Sequence, residues 1–96
     1  MSTAYEVTYI IRPQLEEADA DSRVAKIAEG LKSGGGEPGE IEKLGKRRLA
    51  YEIDDLREGY YVVMKFQSEA AQARELERQL RLHDDVMRHL LIKLDV

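Results

Sequence analysis

The chain contains no cysteine. Disulfides, thiolate catalysis and cysteine-ligated metal sites are thereby excluded, although this absence does not fix the compartment. Histidine is nearly as scarce, with two residues among 96. His83 falls in a His83-Asp84-Asp85 segment that reads as a turn, and His89 in a strand-like run that suits a surface or sheet edge. A His-Asp pair can orient an imidazole, but no serine placed as a nucleophile and no metal-ligand cluster accompanies it. Gly34-Gly35-Gly36 follows a helical segment instead of joining a strand to a helix, so it is a linker and not a phosphate cradle. Asp54-Asp55 and Asp84-Asp85 are adjacent carboxylates in turn segments, where aspartate is common for conformational reasons. Catalysis is therefore not expected, and no cofactor is implied. Apolar runs extend over only a few residues, so neither a membrane span nor a signal peptide is visible. A soluble cytoplasmic protein is the expectation.

Acidic residues outnumber basic ones, 19 to 15, for a net charge of −4. Broad coating of a polyanion is thus disfavoured. The bases are unevenly placed. Residues 43–51 hold Lys43, Lys46, Arg47 and Arg48 and no acid, whereas the segments on either side, 1–42 and 52–60, are net acidic. A basic island in an acidic chain points to a local anion-binding site.

Ninety-six residues suffice for one core, so residues 1–96 are expected to form a single domain. Tyr5, Val7, Tyr9 and Ile11 alternate with Glu6, Thr8, Ile10 and Arg12, which predicts a strand ending at Pro13. Val24, Ile27, Ala28 and Leu31 form a helical stripe, with Glu16, Glu17, Asp19 and Asp21 near the N-terminal end that the helix dipole favours for acids. The glycine triplet stops that helix. A second strand is predicted over 41–51, with Gly45 as a bulge. An acidic turn over 52–59 then leads into a third strand over 60–67. Ser68 suits an N-cap, and Ala73, Leu76 and Leu80 form the stripe of a second helix, with Glu77 and Arg81 at i,i+4 spacing outside it. Residues 86–94 read as a last strand, whose phase is ambiguous: Val86, Leu90, Ile92 and Leu94 suit a core, but this places Arg88 among them.

The order β-α-β-β-α-β matches the ferredoxin-like, or split βαβ, plan: an α+β fold with a four-stranded antiparallel sheet, in the order four-one-three-two, and two helices on one face. Odd residues of the first strand and even residues of the third would face the helices. Glu6, Thr8, Ile10, Arg12, Tyr61, Val63 and Lys65 are left for the open face, where Ile10, Tyr61 and Val63 form an apolar patch suited to binding. Among small domains of this plan, a metal chaperone would need paired cysteines, and a phosphatase a glycine-rich loop where Arg12-Pro13-Gln14 stands. An RNA-recognition motif is the nearer alternative. Gly59-Tyr60-Tyr61-Val62-Val63-Met64-Lys65-Phe66 superficially matches its third-strand signature, but Tyr61, Val62 and Lys65 occupy the wrong positions.

Four segments in this order carry a resemblance. Tyr5-Glu6-Val7-Thr8-Tyr9-Ile10-Ile11-Arg12-Pro13 resembles the opening strand of the bacterial-type small-subunit ribosomal protein S6 family. Leu44-Gly45-Lys46-Arg47-Arg48-Leu49-Ala50-Tyr51 is similar to that family's second-strand signature, the most specific of the four. Gly59-Tyr60-Tyr61 and the stretch from Leu80 to His89 follow in place. The resemblance spans nearly the whole chain, departing in the alanine- and acid-rich approach to the first helix and its glycine-rich end. The longer tail of some members is not expected after the last strand. Membership would imply a non-enzymatic constituent of the small ribosomal subunit that binds small-subunit ribosomal RNA (rRNA) together with ribosomal protein S18. Carried onto this chain, the motifs imply Arg47, Arg48 and Arg88 as RNA-facing. Charge alone adds Arg12, Lys43, Lys46, Arg81 and Lys93.

Overall fold

A computed structural model describes residues 2–53 and 56–94. The elements are β1 (Thr3–Ile11), α1 (Glu17–Ser33), β2 (Glu37–Ile53), β3 (Leu56–Ser68), α2 (Ala70–Leu82) and β4 (Val86–Lys93). The strands form one antiparallel sheet in the order β2-β3-β1-β4. This is the predicted ferredoxin-like α+β plan.

Alternation along β1 and β3 decides which face is buried. Tyr5, Val7, Tyr9 and Ile11 interleave with Val62, Met64 and Phe66 to form the sheet side of the core. Val24, Ile27 and Leu31 of α1 and Ala73, Leu76 and Leu80 of α2 close over them. Each helix thus lays an i, i+3/i+4 stripe on a period-two surface. Both helix stripes and the two strand phases follow the sequence pattern.

The helix ends differ in one respect from expectation. Gly34-Gly35-Gly36 closes α1 as anticipated: the Gly36 amide donates to the Leu31 carbonyl (2.9 Å) and the Gly35 amide to that of Lys32 (3.1 Å). The N-cap of α2, however, is Glu69 and not Ser68. Ser68 is still paired with Thr3 at the end of β3, so the backbone stays extended one residue longer. Glu69 then caps with Gln72 in a reciprocal capping box.

The β2–β3 hairpin also exceeds its predicted length, since β2 starts at Glu37 and ends at Ile53, and β3 starts at Leu56. Residues 52–59, read as a turn, are therefore largely strand. The Asp54-Asp55 pair lies outside the described residues. Gly45 is the predicted bulge: its φ is +80° and the register with β3 shifts between Lys43 and Gly45.

In β4, Leu90 and Ile92 lie opposite to the core-facing phase considered from sequence, while Val86 keeps it. Leu90 and Ile92 are exposed, and Leu91 packs against the core. The cause is a register shift against β1: Ile10 pairs with Arg88, but Ile11 pairs with Val86. One extra residue switches the phase, so Val86 faces the helices while Arg88, Leu90 and Ile92 face away.

Candidate nucleic-acid interface

The uncovered face of the sheet is built in rows by the strand register. Lys65, Glu6 and Ile92 lie across one row; Glu42, Val63, Thr8 and Leu90 across the next; Gly45, Tyr61, Ile10 and Arg88 across the third. Lys65 and Glu6 are a cross-strand pair of opposite charge. The apolar patch expected from Ile10, Tyr61 and Val63 is present and is extended by Leu90 and Ile92, 59% and 44% exposed. Sequence reasoning missed these two because the β4 bulge hides their phase.

Beyond Gly45 the ribbon turns over this face. Leu49 is buried, and with Tyr51 it lines a recess of about 260 Å³ together with Thr8, Ile10, Arg88, His89 and Leu90. Gly59 permits the approach: a Cβ there would collide with Ile10 Cγ2, and Ile11 O is 3.3 Å from the same point. Tyr51 lies at the mouth, with the Arg88 guanidinium carbon 5.4 Å from its ring centroid. A cation over an aromatic face is attracted by the ring quadrupole.

The eight basic residues singled out from sequence do not converge. Arg47 pairs with Gly59, in phase with the Gly45–Tyr61 pair of the open face, which places it on the side of Arg88. It is exposed, and its Nε donates to the Leu44 carbonyl at 3.0 Å, across the bulge. Arg48, paired opposite Glu58, has the other phase, as does Lys46, whose Nζ lies 5.5 Å from the Tyr60 ring on the helix side. Lys43 also points to the helix side, 3.2 Å from Asp21 of α1. Lys93 stands opposite core-facing Tyr5, and Arg81 is exposed on α2. Arg12 Nε donates to the Asp84 carbonyl at 2.9 Å, and its amide donates to the Asp85 carbonyl at 2.8 Å. Asp85 in turn meets Arg23 Nε of α1 at 2.6 Å. The His83-Asp84-Asp85 turn is thereby a structural clamp between α1, β1 and β4. Glu77, spaced for Arg81, has an oxygen 3.5 Å from His89 Nε2 on the half-buried side of β4.

Among the described residues there is no cluster of three or more histidine, aspartate or glutamate side chains able to hold a metal, and no helix is long and apolar enough to cross a membrane. Among the described residues, the one large carboxylate shift is that of Glu75, lowered to about 2 chiefly by its hydrogen bonds from Arg78 and Gln79, on the helix side of the sheet.

Fold and face define a ferredoxin-like protein with an uncovered sheet surface, apolar at its centre and basic where the ribbon arches over it. The sequence model of the family described as ribosomal protein S6 matches residues 4–93. Small ribosomal subunit protein bS6 of Carboxydothermus hydrogenoformans is 47% identical over 95 residues, covering 99% of each chain. That of Clostridium acetobutylicum is 43% identical over 91 residues, covering 95% of this chain and 96% of its own. The crystal structure of 30S ribosomal protein S6 from Thermotoga maritima superposes with a TM-score of 0.92 at 26% identity, covering 98% of this chain and 89% of the other. The chain belongs to the ribosomal protein S6 family. These relatives are ribosomal proteins.

Proposed function

We propose that this protein is a structural constituent of the small ribosomal subunit in the cytoplasm, where it binds small-subunit rRNA together with ribosomal protein S18. The observation that carries this reading is the placement of exposed Leu90 and Ile92 on the same open sheet face as Arg88, with Arg47 on the ribbon beside it. Exposed aliphatic residues on a rigid sheet suit a protein partner, and exposed arginines at the border suit phosphates. A net charge of −4 fits a shared task, in which the partner supplies much of the phosphate neutralisation. Arg47, Arg88 and Arg48 are the first RNA contacts proposed. Lys46, Lys43, Arg12, Arg81 and Lys93 rank behind them, because charge alone and not the family motifs singles them out.

A binding titration against small-subunit rRNA in the presence of S18 tests the proposal. Arg47→Ala with Arg48→Ala should weaken binding without unfolding the domain, since both side chains are exposed. For each phosphate no longer neutralised, the slope of log affinity against log salt should flatten by roughly 0.7–0.9. Unchanged affinity and slope would remove these arginines from the interface.

A further inference from the structure

Tyr51 is a large aromatic residue that the core does not use. It is 60% exposed, whereas Tyr5, Tyr9 and Phe66 are buried and the Tyr60 hydroxyl donates to the Leu15 carbonyl at 3.1 Å. It nevertheless has neighbours. Leu49, two residues before it, is buried beneath the ribbon, and the Arg88 guanidinium stands over the Tyr51 ring. A cation thus stands over the ring while most of its surface meets solvent. An exposed ring paired with a guanidinium is the surface on which proteins stack unpaired bases. Arg47, on the same side of the ribbon, places positive charge where the phosphate beside such a base would run.

We infer that Tyr51 and Arg88 form a stacking platform for one unpaired nucleobase of RNA. The inference rests on the RNA-binding reading above and adds to it a residue and a mode of contact. The competing occupant is an apolar side chain of the protein partner, for which the aliphatic recess under Leu49 is suited. The ring is itself part of the recess wall, but it is 60% exposed with a guanidinium over it, and this favours the base.

The chain has no tryptophan, so Tyr51→Trp introduces its only indole at the site. The variant is titrated first with S18 and then with small-subunit rRNA, with emission of the same mixtures containing the unsubstituted chain subtracted. A stacked base quenches the indole when RNA is added. A partner side chain shifts its emission to the blue when S18 alone is added, without later quenching, and that result would overturn the platform. In parallel, Tyr51→Leu should weaken RNA affinity roughly 5- to 150-fold with Tyr51→Phe near the unsubstituted value. The salt slope should not move, since every phosphate keeps its partner. A slope reduced by the equivalent of one phosphate would make Tyr51 a positioning residue for Arg88 and sink the stacking claim. Should Tyr51→Leu fold poorly by its urea midpoint, the fluorescence result decides. If the unsubstituted chain does not bind rRNA beside S18, the RNA-binding reading itself falls. If it binds and Tyr51→Leu binds equally, only the platform falls.

Discussion

Tyr9 brings a hydroxyl into the centre of the core. The residue is fully buried on β1, and its oxygen has no hydrogen-bond partner among the described residues. Burial without a partner raises its pKa far above the ordinary value of 10, because the phenolate would be stranded in apolar surroundings. The neutral form is therefore favoured by folding. The associated stability is fully present below the ordinary tyrosine range and is lost as pH rises through and beyond it. Tyr9→Phe removes the stranded oxygen while keeping the ring, and should stabilise the fold by about 1 kcal/mol. It should also reduce the alkaline loss of stability. Urea denaturation of both chains at neutral pH and above pH 10 checks the two effects together.

At the scale of the element, β4 shows what an alternation pattern conceals. Val86, Leu90 and Ile92 share a parity in sequence, yet Val86 faces the helices and the other two face solvent. The intervening bulge depends on pairing with β1, which joins the two ends of the chain, so no local pattern could reveal it. The ribbon of β2 and β3 was obscured for a different reason. Gly45 was recognisable as a bulge, but a bulge also resets the phase after it, and this is what turns Arg47 to the open face; a second register shift follows between Arg48 and Ile53. Helices α1 and α2 were legible because their stripes answer to one uninterrupted period. The two kinds of leucine should respond in opposite ways. Leu80→Ala, in the core, should cost roughly 2–5 kcal/mol of stability. Leu90→Ser should change stability by only about 0.5 kcal/mol or less but weaken association with S18. Denaturation midpoints and a pull-down of the two proteins, compared side by side, separate the roles; loss of stability in Leu90→Ser would mean the face is not a free surface.

The whole molecule segregates its chemistry between two layers, helices on one side and an uncovered sheet on the other. The plan and core were legible in the order of strands and helices. The basic island was legible as a site, but not its division: Lys46 and Arg48 have one phase, Arg47 the other, and the phase emerges only once the bulge is seen in three dimensions. Arg12 attracted notice as a charge, and its guanidinium instead spans to the Asp84 carbonyl. The face also bears on the RNA-recognition-motif alternative. Such a domain stacks successive bases on aromatics of its two central strands. Here β1 and β3 offer Thr8, Ile10, Tyr61 and Val63 to that face, a single aromatic residue. The isolated protein should therefore bind short single-stranded oligonucleotides weakly, with tight binding only when S18 and folded rRNA are present. Fluorescence anisotropy with labelled oligomers measures this directly; micromolar binding by the protein alone, lost in Tyr61→Ala, would favour the stacking module over the ribosomal role.

Gln72 has an effect out of proportion to its size. One side-chain amide both accepts from the Glu69 amide at 3.1 Å, starting α2, and donates to the Gly34 carbonyl at 2.8 Å, finishing α1. This amide is thus a polar tie between the two helices. Fraying at the end of one helix withdraws a partner from the beginning of the other. The C-terminal turn of α1 and the N-terminal turn of α2 thus belong to a single cooperative opening unit, although 38 positions separate Gly34 from Gln72 along the chain.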